Sequence, residues 1–328
     1  MRAAVITRFG GPEVLEVHER ETPEPGKGEI LVRVRASALN RADLHQREGN
    51  YPAPAGAPAD IPGLEFAGEV VSLGEGVTDC AVGDRVFGIV PGGGNAEFLV
   101  TDARTVAHVP STLSWTEAAA VPEAFMTAHD AMVVQAGLRR GERVLIHAVG
   151  SGVGLAATQI AKAWEALPYG TARTADKIDR AREYGLVDGV VVGEDLDVIT
   201  AAVQQWAGGK GMDVTVDLVG GPYLAASIRT GAIKGRIMLI GTIAGRSATV
   251  PIGMILGKRL TLRGTVLRAR SLDEKRAVTA AFARDVVPLM AAGALRPVID
   301  RVYSLDDIRA AHERMASNES FGKIVLQI

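Results

Sequence analysis

The chain has 328 residues, of which 47% are hydrophobic, and a formal net charge of -2 at pH 7. This length predicts two domains, and the near-neutral charge argues against the basic surface of a nucleic-acid-binding protein. Its one cysteine, Cys80, excludes an internal disulfide and a cysteine-rich zinc site. The first residues predict a strand rather than a signal peptide, and no run of roughly 18 apolar residues occurs. We therefore expect a cytoplasmic protein without a membrane span.

The first 120 or so residues predict short strands separated by glycine and proline. Glu29–Ala36 alternates in character, with Ile30, Val32, Val34 and Ala36 on one face and polar side chains among those on the other. Short strands at regular spacing are typical of a small β-barrel rather than of a parallel sheet.

The pattern changes after Ser114 and Glu117, whose spacing predicts a capping box at a helix start. From about residue 140 to 265, apolar strands alternate with helical stretches, which predicts a doubly wound parallel sheet. The predicted strands are Val144–Ala148, Leu167–Thr171, Val190–Val192, Val214–Val219, Ile237–Ile240 and Leu260–Val266. Helices near 271–292 and 304–316 follow, and a closing strand at 323–328 can rejoin the first domain.

The segment HAVGSGVG, residues 147–154, joins a predicted strand to an Ala-rich helix. Strand, glycine turn and helix in this order form the pyrophosphate cradle of a dinucleotide-binding fold. Small residues let backbone N–H groups approach the phosphates, and the helix N-terminus favours negative charge. The predicted phosphate contacts are Gly150, Ser151, Gly152, Val153 and Gly154.

The second strand of this fold indicates which nicotinamide cofactor binds. NAD-specific domains end that strand with an acid that binds the ribose 2′-OH, and no acid follows Leu167–Thr171 directly. Arg173 and Lys177 can instead neutralise a 2′-phosphate, with Thr171 and Thr174 as hydrogen-bond donors. We therefore predict NADPH over NADH. The alternative is that both cations belong to a solvated helix face, because acids lie among them.

Seven segments carry a family pattern in order along the chain: SALNRADL (37–44), GLEFAG (63–68), GDRV (83–86), PGGGNAE (91–97), PEAFMTA (122–128), DLVGG (217–221) and GKIVL (322–326). With the glycine turn they resemble the zinc-independent, zeta-crystallin-like quinone oxidoreductases of the medium-chain dehydrogenase/reductase superfamily. The segments PGGG and PEA are shared with the subgroup of the tumour-suppressor-inducible quinone oxidoreductase. The resemblance implies a GroES-like β-barrel catalytic domain over 1–122 and 266–328, with a Rossmann NADPH-binding domain over 123–265.

The resemblance also implies roles for particular residues. Asn40 and Tyr51 are expected to be catalytic and to face the substrate. The further residues expected to contact the cofactor are Thr127, Gly241, Thr242 and Lys323. Zinc-dependent relatives carry Cys near Asn40 and His at the position of Leu64, so no metal is expected.

The implied reaction is zinc-independent transfer of a hydride from NADPH to a quinone. A quinone needs only a hydride and a proton, and its product has a phenol-like pKa of about 10, so neither a metal nor a strong base is required. One alternative is an enone or enoyl-thioester reductase, which uses the same fold and hydride donor. Another is an NADPH-binding crystallin-like or RNA-binding protein. The predicted edge strand at Leu260–Val266 is expected to be the seam of a homodimer.

Overall fold

The computed structural model describes residues 1–328, which form two compact units. The first, here the β unit, comprises Met1–Met126 and Leu267–Ile328. The second, here the parallel-sheet unit, comprises Thr127–Val266. None of the helices combines the length and the apolar composition that a membrane span requires.

The regular elements alternate between strands and helices along most of the chain. The strands are β1 (Arg2–Ile6), β2 (Leu15–Glu19), β3 (Glu29–Ala38), β4 (Glu65–Leu73), β5 (Arg85–Ile89), β6 (Phe98–Asp102), β7 (Val106–His108), β8 (Arg143–Ile146), β9 (Leu167–Ala172), β10 (Asp188–Val191), β11 (Met212–Asp217), β12 (Gly231–Leu239), β13 (Thr261–Gly264), β14 (Ile299–Ser304) and β15 (Lys323–Gln327). The α-helices are α1 (Arg41–Arg47), α2 (Trp115–Ala119), α3 (Thr127–His129), α4 (Gly152–Ala163), α5 (Ala175–Arg182), α6 (Asp197–Ala207), α7 (Pro222–Thr230), α8 (Ile252–Lys258), α9 (Leu272–Asp285), α10 (Val287–Ala291) and α11 (Ile308–Ala316). Wider π-type turns flank α3 on both sides.

Strand β3 organises the β unit. Its predicted inner face is confirmed, since Ile30, Val32, Val34 and Ala36 are all buried. One edge of β3 pairs with β4, while the other pairs with β6 in its first half and with β15 in its second half. Two register shifts against β4 allow the strand to bend between these partners. The last strand of the chain thereby joins the same sheet as the first long one, as expected.

The parallel-sheet unit confirms the predicted doubly wound sheet. Its strand order is β10-β9-β8-β11-β12-β13, and every pair is parallel. The order reverses between β8 and β11, which is the switch point where such sheets bind ligands beyond their carboxyl ends. The glycine turn follows β8 directly, so it lies at this point.

Two predicted helices have different bounds in the structure. The helix expected over 271–292 is divided into α9 and α10. Pro288 lacks an N–H and its ring clashes with the carbonyl one turn earlier, so a continuous helix is broken here. The helix expected to start at Ser304 begins only at Ile308, because β14 extends to Ser304 and a short 3-10 turn follows it.

Candidate active site

A buried ion pair between Lys323 and Glu65 lies at the centre of a polar cluster in the β unit. Lys323 begins β15, and its Nζ donates to Glu65 Oε1 at 2.5 Å, to Asn40 Oδ1 at 2.7 Å and to the Leu39 carbonyl at 2.8 Å. An ammonium group has three protons, so each has an acceptor within the chain. Lys323 was expected to contact the cofactor; in this structure its charge is directed at Glu65.

Asn40 precedes α1 and is fixed by the same cluster. Its Nδ2 donates to Glu65 Oε1 at 2.8 Å and to the Ala38 carbonyl at 3.3 Å, so both amide hydrogens have acceptors. Its backbone N–H donates to Asp43 Oδ2 at 2.7 Å, as a capping box requires. Asn40 is therefore held in one orientation, and donation from its amide to a substrate requires one of these bonds to open.

Two further carboxyls of the cluster hold their protons unusually strongly. Burial raises the pKa of Asp43 to about 6, against the opposing effect of two backbone hydrogen bonds and the charges of Lys323 and Arg268. Burial also raises the pKa of Glu123 to about 8, and the negative charge of Glu65 adds to the effect. The Glu123 backbone N–H donates to Glu65 Oε2 at 2.8 Å, which joins the wide turn before α3 to β4.

Arg268 fixes the second predicted catalytic residue, Tyr51. The buried guanidinium donates to the carbonyls of Pro91 and Tyr51 at 2.8 and 3.2 Å and to Gln46 Oε1 at 2.6 Å. It also lies 4.8 Å from the centre of the Tyr51 ring, a cation–π distance. The ring is half-buried, and burial raises the pKa of its hydroxyl.

The glycine turn of the parallel-sheet unit has the geometry that the motif predicts. Ser151 is the N-cap of α4, and its Oγ accepts the Gly154 N–H at 3.1 Å. A Cβ on Gly154 would lie 2.5 Å from the Ala148 carbonyl oxygen, so only glycine fits there. Gly152 and Val153 form the first turn of α4, where N–H groups lack partners within the helix. The turn thus presents a bare backbone at a helix N-terminus, which suits a pyrophosphate.

Side chains after β9 lie beside this turn. A Cβ on Gly150 would approach Lys177 Cδ to 3.0 Å, which shows that the lysine side chain packs across the turn. Arg173 and Thr174 are exposed between β9 and α5. Thr171 differs from the expectation: it is buried, and its Oγ1 lies 3.1 Å from His147 Nδ1, so its hydroxyl belongs to the interior.

The remaining predicted cofactor residues lie at the carboxyl ends of β11 and β12 and at the start of α3. Gly241 follows β12 so closely against β11 that a Cβ would meet the Leu218 carbonyl oxygen at 2.2 Å. Thr242 beside it is exposed. Thr127 is buried, and its Oγ1 has no hydrogen-bond partner within the chain. An unpartnered buried hydroxyl indicates a group that a ligand can satisfy.

The structure shows no group of three or more His, Cys, Asp or Glu side chains that could hold a metal ion. The resemblance places a zinc-ligand Cys of zinc-dependent relatives near Asn40 and a zinc-ligand His at the position of Leu64. In this structure Asn40 is hydrogen-bonded to Lys323 and Glu65, and Leu64 is a buried apolar side chain.

Comparisons with known proteins match the whole chain. Residues 26–136 match the family model described as alcohol dehydrogenase GroES-like domain, and residues 187–326 match the one described as zinc-binding dehydrogenase. A quinone oxidoreductase of Lama guanicoe is 31% identical over 99% of this chain and 97% of its own length. The solved Escherichia coli quinone oxidoreductase complexed with NADPH has a TM-score of 0.89 at 28% identity, covering 100% of both chains. A solved NAD-dependent alcohol dehydrogenase has a TM-score of 0.86 at 32% identity, also covering 100% of both chains. The predicted combination of GroES-like and Rossmann units is confirmed.

Proposed function

Because this chain belongs to the quinone oxidoreductases of the medium-chain dehydrogenase/reductase superfamily, we propose that it transfers a hydride from NADPH to a quinone without zinc. The choice of NADPH over NADH rests on the position of Lys177, whose side chain packs across the glycine turn at Gly150. Its relative from Escherichia coli was solved with NADPH, which is consistent with that choice.

Charge at the end of β9 supports NADPH over NADH. The loop from β9 to α5 contains Arg173 and no acid, and Lys177 follows in the first turn of α5. Hydrogen bonds to a charged group are worth about 1.5–3 kcal/mol each, and only NADPH carries the 2′-phosphate that can accept them. Thr174, exposed at the start of α5, is the additional donor.

The residues of the glycine turn fit the pyrophosphate of this cofactor. The N–H groups at the start of α4 would hold its oxygens, and the Ser151 hydroxyl, which already accepts from Gly154, can donate to one of them. Thr127, Gly241 and Thr242 are proposed to contact the nicotinamide and ribose portions. When bound, NADPH supplies the hydride; the protein supplies binding and orientation.

The substrate class is proposed from the chemistry that the site around Glu65 can support. Reduction of a quinone needs a hydride and only a weak acid for its oxygen, and the amide, carboxyl and hydroxyl groups of this site suit that reaction. Asn40 and Tyr51 are proposed to position the substrate, Tyr51 through a ring that Arg268 holds in place. The small-molecule substrate is thus proposed to be a quinone, which is a conjugated cyclic dicarbonyl.

One experiment tests the function. Binding of NADPH and NADH is measured by fluorescence titration, and NADPH oxidation is then followed with ortho-quinones, para-quinones, enones and enoyl thioesters. We expect tighter binding of NADPH and turnover with quinones. Tighter binding of NADH would refute the cofactor assignment, and turnover with thioesters alone would refute the substrate class.

We also propose that the protein is a homodimer. β13 is the edge strand of the parallel sheet, and most of its side chains are exposed. Ile252 and Leu256 of the neighbouring α8 are exposed as well, and α8 buries none of its residues. An uncovered edge with apolar neighbours favours pairing with a second copy. Sedimentation velocity at micromolar concentration checks this, and a monomer would contradict it.

A further inference from the structure

The polar cluster of the β unit contains two basic side chains and three carboxyl groups. Lys323 and Arg268 are cations, and Asp43 and Glu65 are the carboxylates that balance them. Glu123 is the fifth group, and its interaction with each of the other four contributes to its pKa. If Glu123 ionised as well, the cluster would carry one uncompensated negative charge in a largely buried site, which is costly.

Glu65 and Glu123 differ in how their carboxyls are held. Glu65 is fully buried, and both of its oxygens accept hydrogen bonds, from Lys323, Asn40 and the Glu123 backbone. The Glu123 carboxyl accepts no hydrogen bond from the chain. Glu123 is also partly exposed, so its carboxyl can exchange a proton with water. The cluster thus gives Glu65 a partner cation and three hydrogen-bond donors, whereas burial and the charge of Glu65 favour the neutral form of Glu123.

We propose that Glu123 is the general acid of this enzyme and gives its carboxyl proton to the substrate oxygen. This inference rests on the proposed function. The quinone is reduced by the two electrons of the hydride that NADPH supplies, and one oxygen then carries negative charge. The O–H bond of Glu123 breaks, a new O–H bond forms on that oxygen, and hydroquinone results. The Glu123 carboxylate then regains its proton from water, which restores the neutral cluster.

The acidity of Glu123 is suited to this step. Burial and the charge of Glu65 raise the pKa of Glu123 to about 8, so most molecules hold the proton at pH 7. A phenol-like product has a pKa of about 10, so transfer from the carboxyl is favourable by roughly a hundredfold. The charged or titratable groups that face one another in this cluster are Glu65 on β4, Lys323 on β15, Asp43 on α1, Arg268 after β13, and Tyr51.

The test compares Glu123→Gln with the wild type. Glutamine has the same shape and stays neutral but holds no transferable proton. We expect kcat with a para-quinone to fall roughly a hundredfold at pH 7, while the Kd for NADPH changes less than about twofold. Wild-type kcat should decline as the pH rises through about 8, and the variant should lack this decline and the solvent deuterium isotope effect. Glu75→Gln is the matched control, because Glu75 lies on the surface in an exposed pair with Lys27.

A second measurement does not depend on turnover. In the NADP⁺-bound protein labelled with 13C at glutamate carboxyls, one signal should titrate near pH 8 and be missing from Glu123→Gln. An unchanged kcat and pH profile in the variant, or no glutamate that titrates near pH 8 in the wild type, would overturn the assignment of Glu123 alone. If the wild type reduces only enones, the proposed function fails, and the same comparison made with that enone decides whether Glu123 donates the proton.

Discussion

Replacement of Lys323 by methionine tests whether the buried ion pair holds the cluster together. Methionine has an unbranched apolar side chain of similar length and lacks the ammonium group. Glu65 then retains hydrogen bonds from Asn40 and the Glu123 backbone but loses its cation in a fully buried position. Removal of one partner of a buried pair costs about 3–5 kcal/mol, and we expect the free energy of unfolding of the β unit to fall by this amount.

The double variant Lys323→Met/Glu65→Gln separates charge from packing. Both charges are then absent, and the side-chain carbonyl oxygen of the introduced glutamine can still accept from Asn40. We expect this variant to be at least about 2 kcal/mol more stable than Lys323→Met alone, because no unpaired buried charge remains. Lys27→Met is the matched control, since the Lys27–Glu75 pair is exposed and contributes little.

Urea unfolding followed by tryptophan fluorescence measures these changes within the β unit. Trp115 is the only tryptophan of this unit, so Trp164→Phe and Trp206→Phe make its signal specific. A loss of less than about 1 kcal/mol in Lys323→Met, or a loss in the double variant equal to the sum of the two single losses, would show that the buried pair does not hold the cluster together.

Two further predictions concern the cofactor site and a buried histidine. Lys177→Ala should raise the Kd for NADPH about tenfold and leave that for NADH unchanged, as fluorescence titration can show; equal weakening of both would exclude the 2′-phosphate role. Burial and the charge of Arg47 lower the pKa of His312 to about 3 from an unfolded value of about 6.5. The unfolded chain therefore binds more protons below about pH 6.5, and stability should fall by up to about 1.4 kcal/mol per pH unit from there towards pH 3. Urea midpoints at about pH 7 and 5 should diverge less in His312→Gln; an identical pH dependence would show that His312 is not the cause.

Local patterns predicted the features that depend on local geometry. The alternation over Glu29–Ala36 identified the buried face of β3, because strand side chains point to opposite faces in turn. The order of strand, glycine turn and helix identified the turn before α4, because Gly154 faces a carbonyl oxygen that excludes a Cβ. Pro288 could have marked the break between α9 and α10, since proline is poorly tolerated within a helix.

The polar cluster could not be predicted in the same way, because its members are far apart in the chain. Glu65 and Lys323 are 258 residues apart, and Arg268 reaches Gln46 across 222 residues. The family resemblance indicated Asn40, Tyr51 and Lys323 as site residues, but it contained no information on which side chains pair. Thr171 shows the same limit at short range: the sequence placed it beside Arg173, whereas its hydroxyl lies next to His147 inside the sheet.

The closing strand links the stability of the β unit to the chemistry proposed for it. β15 pairs with β3 through Val325 and its neighbours, and its first residue, Lys323, supplies the cation for Glu65. If β15 were displaced, Glu65 would lose its partner cation, and Glu123 would lose a positive charge that favours its carboxylate form. Lys323→Met should therefore affect more than stability: with one cation removed, the pKa of Glu123 should rise further, because the nearby positive charge of Lys323 favours the carboxylate. In the labelled protein, the glutamate signal that titrates near pH 8 should move to higher pH in this variant. A shift to lower pH would show that Lys323 does not act on Glu123 through its charge.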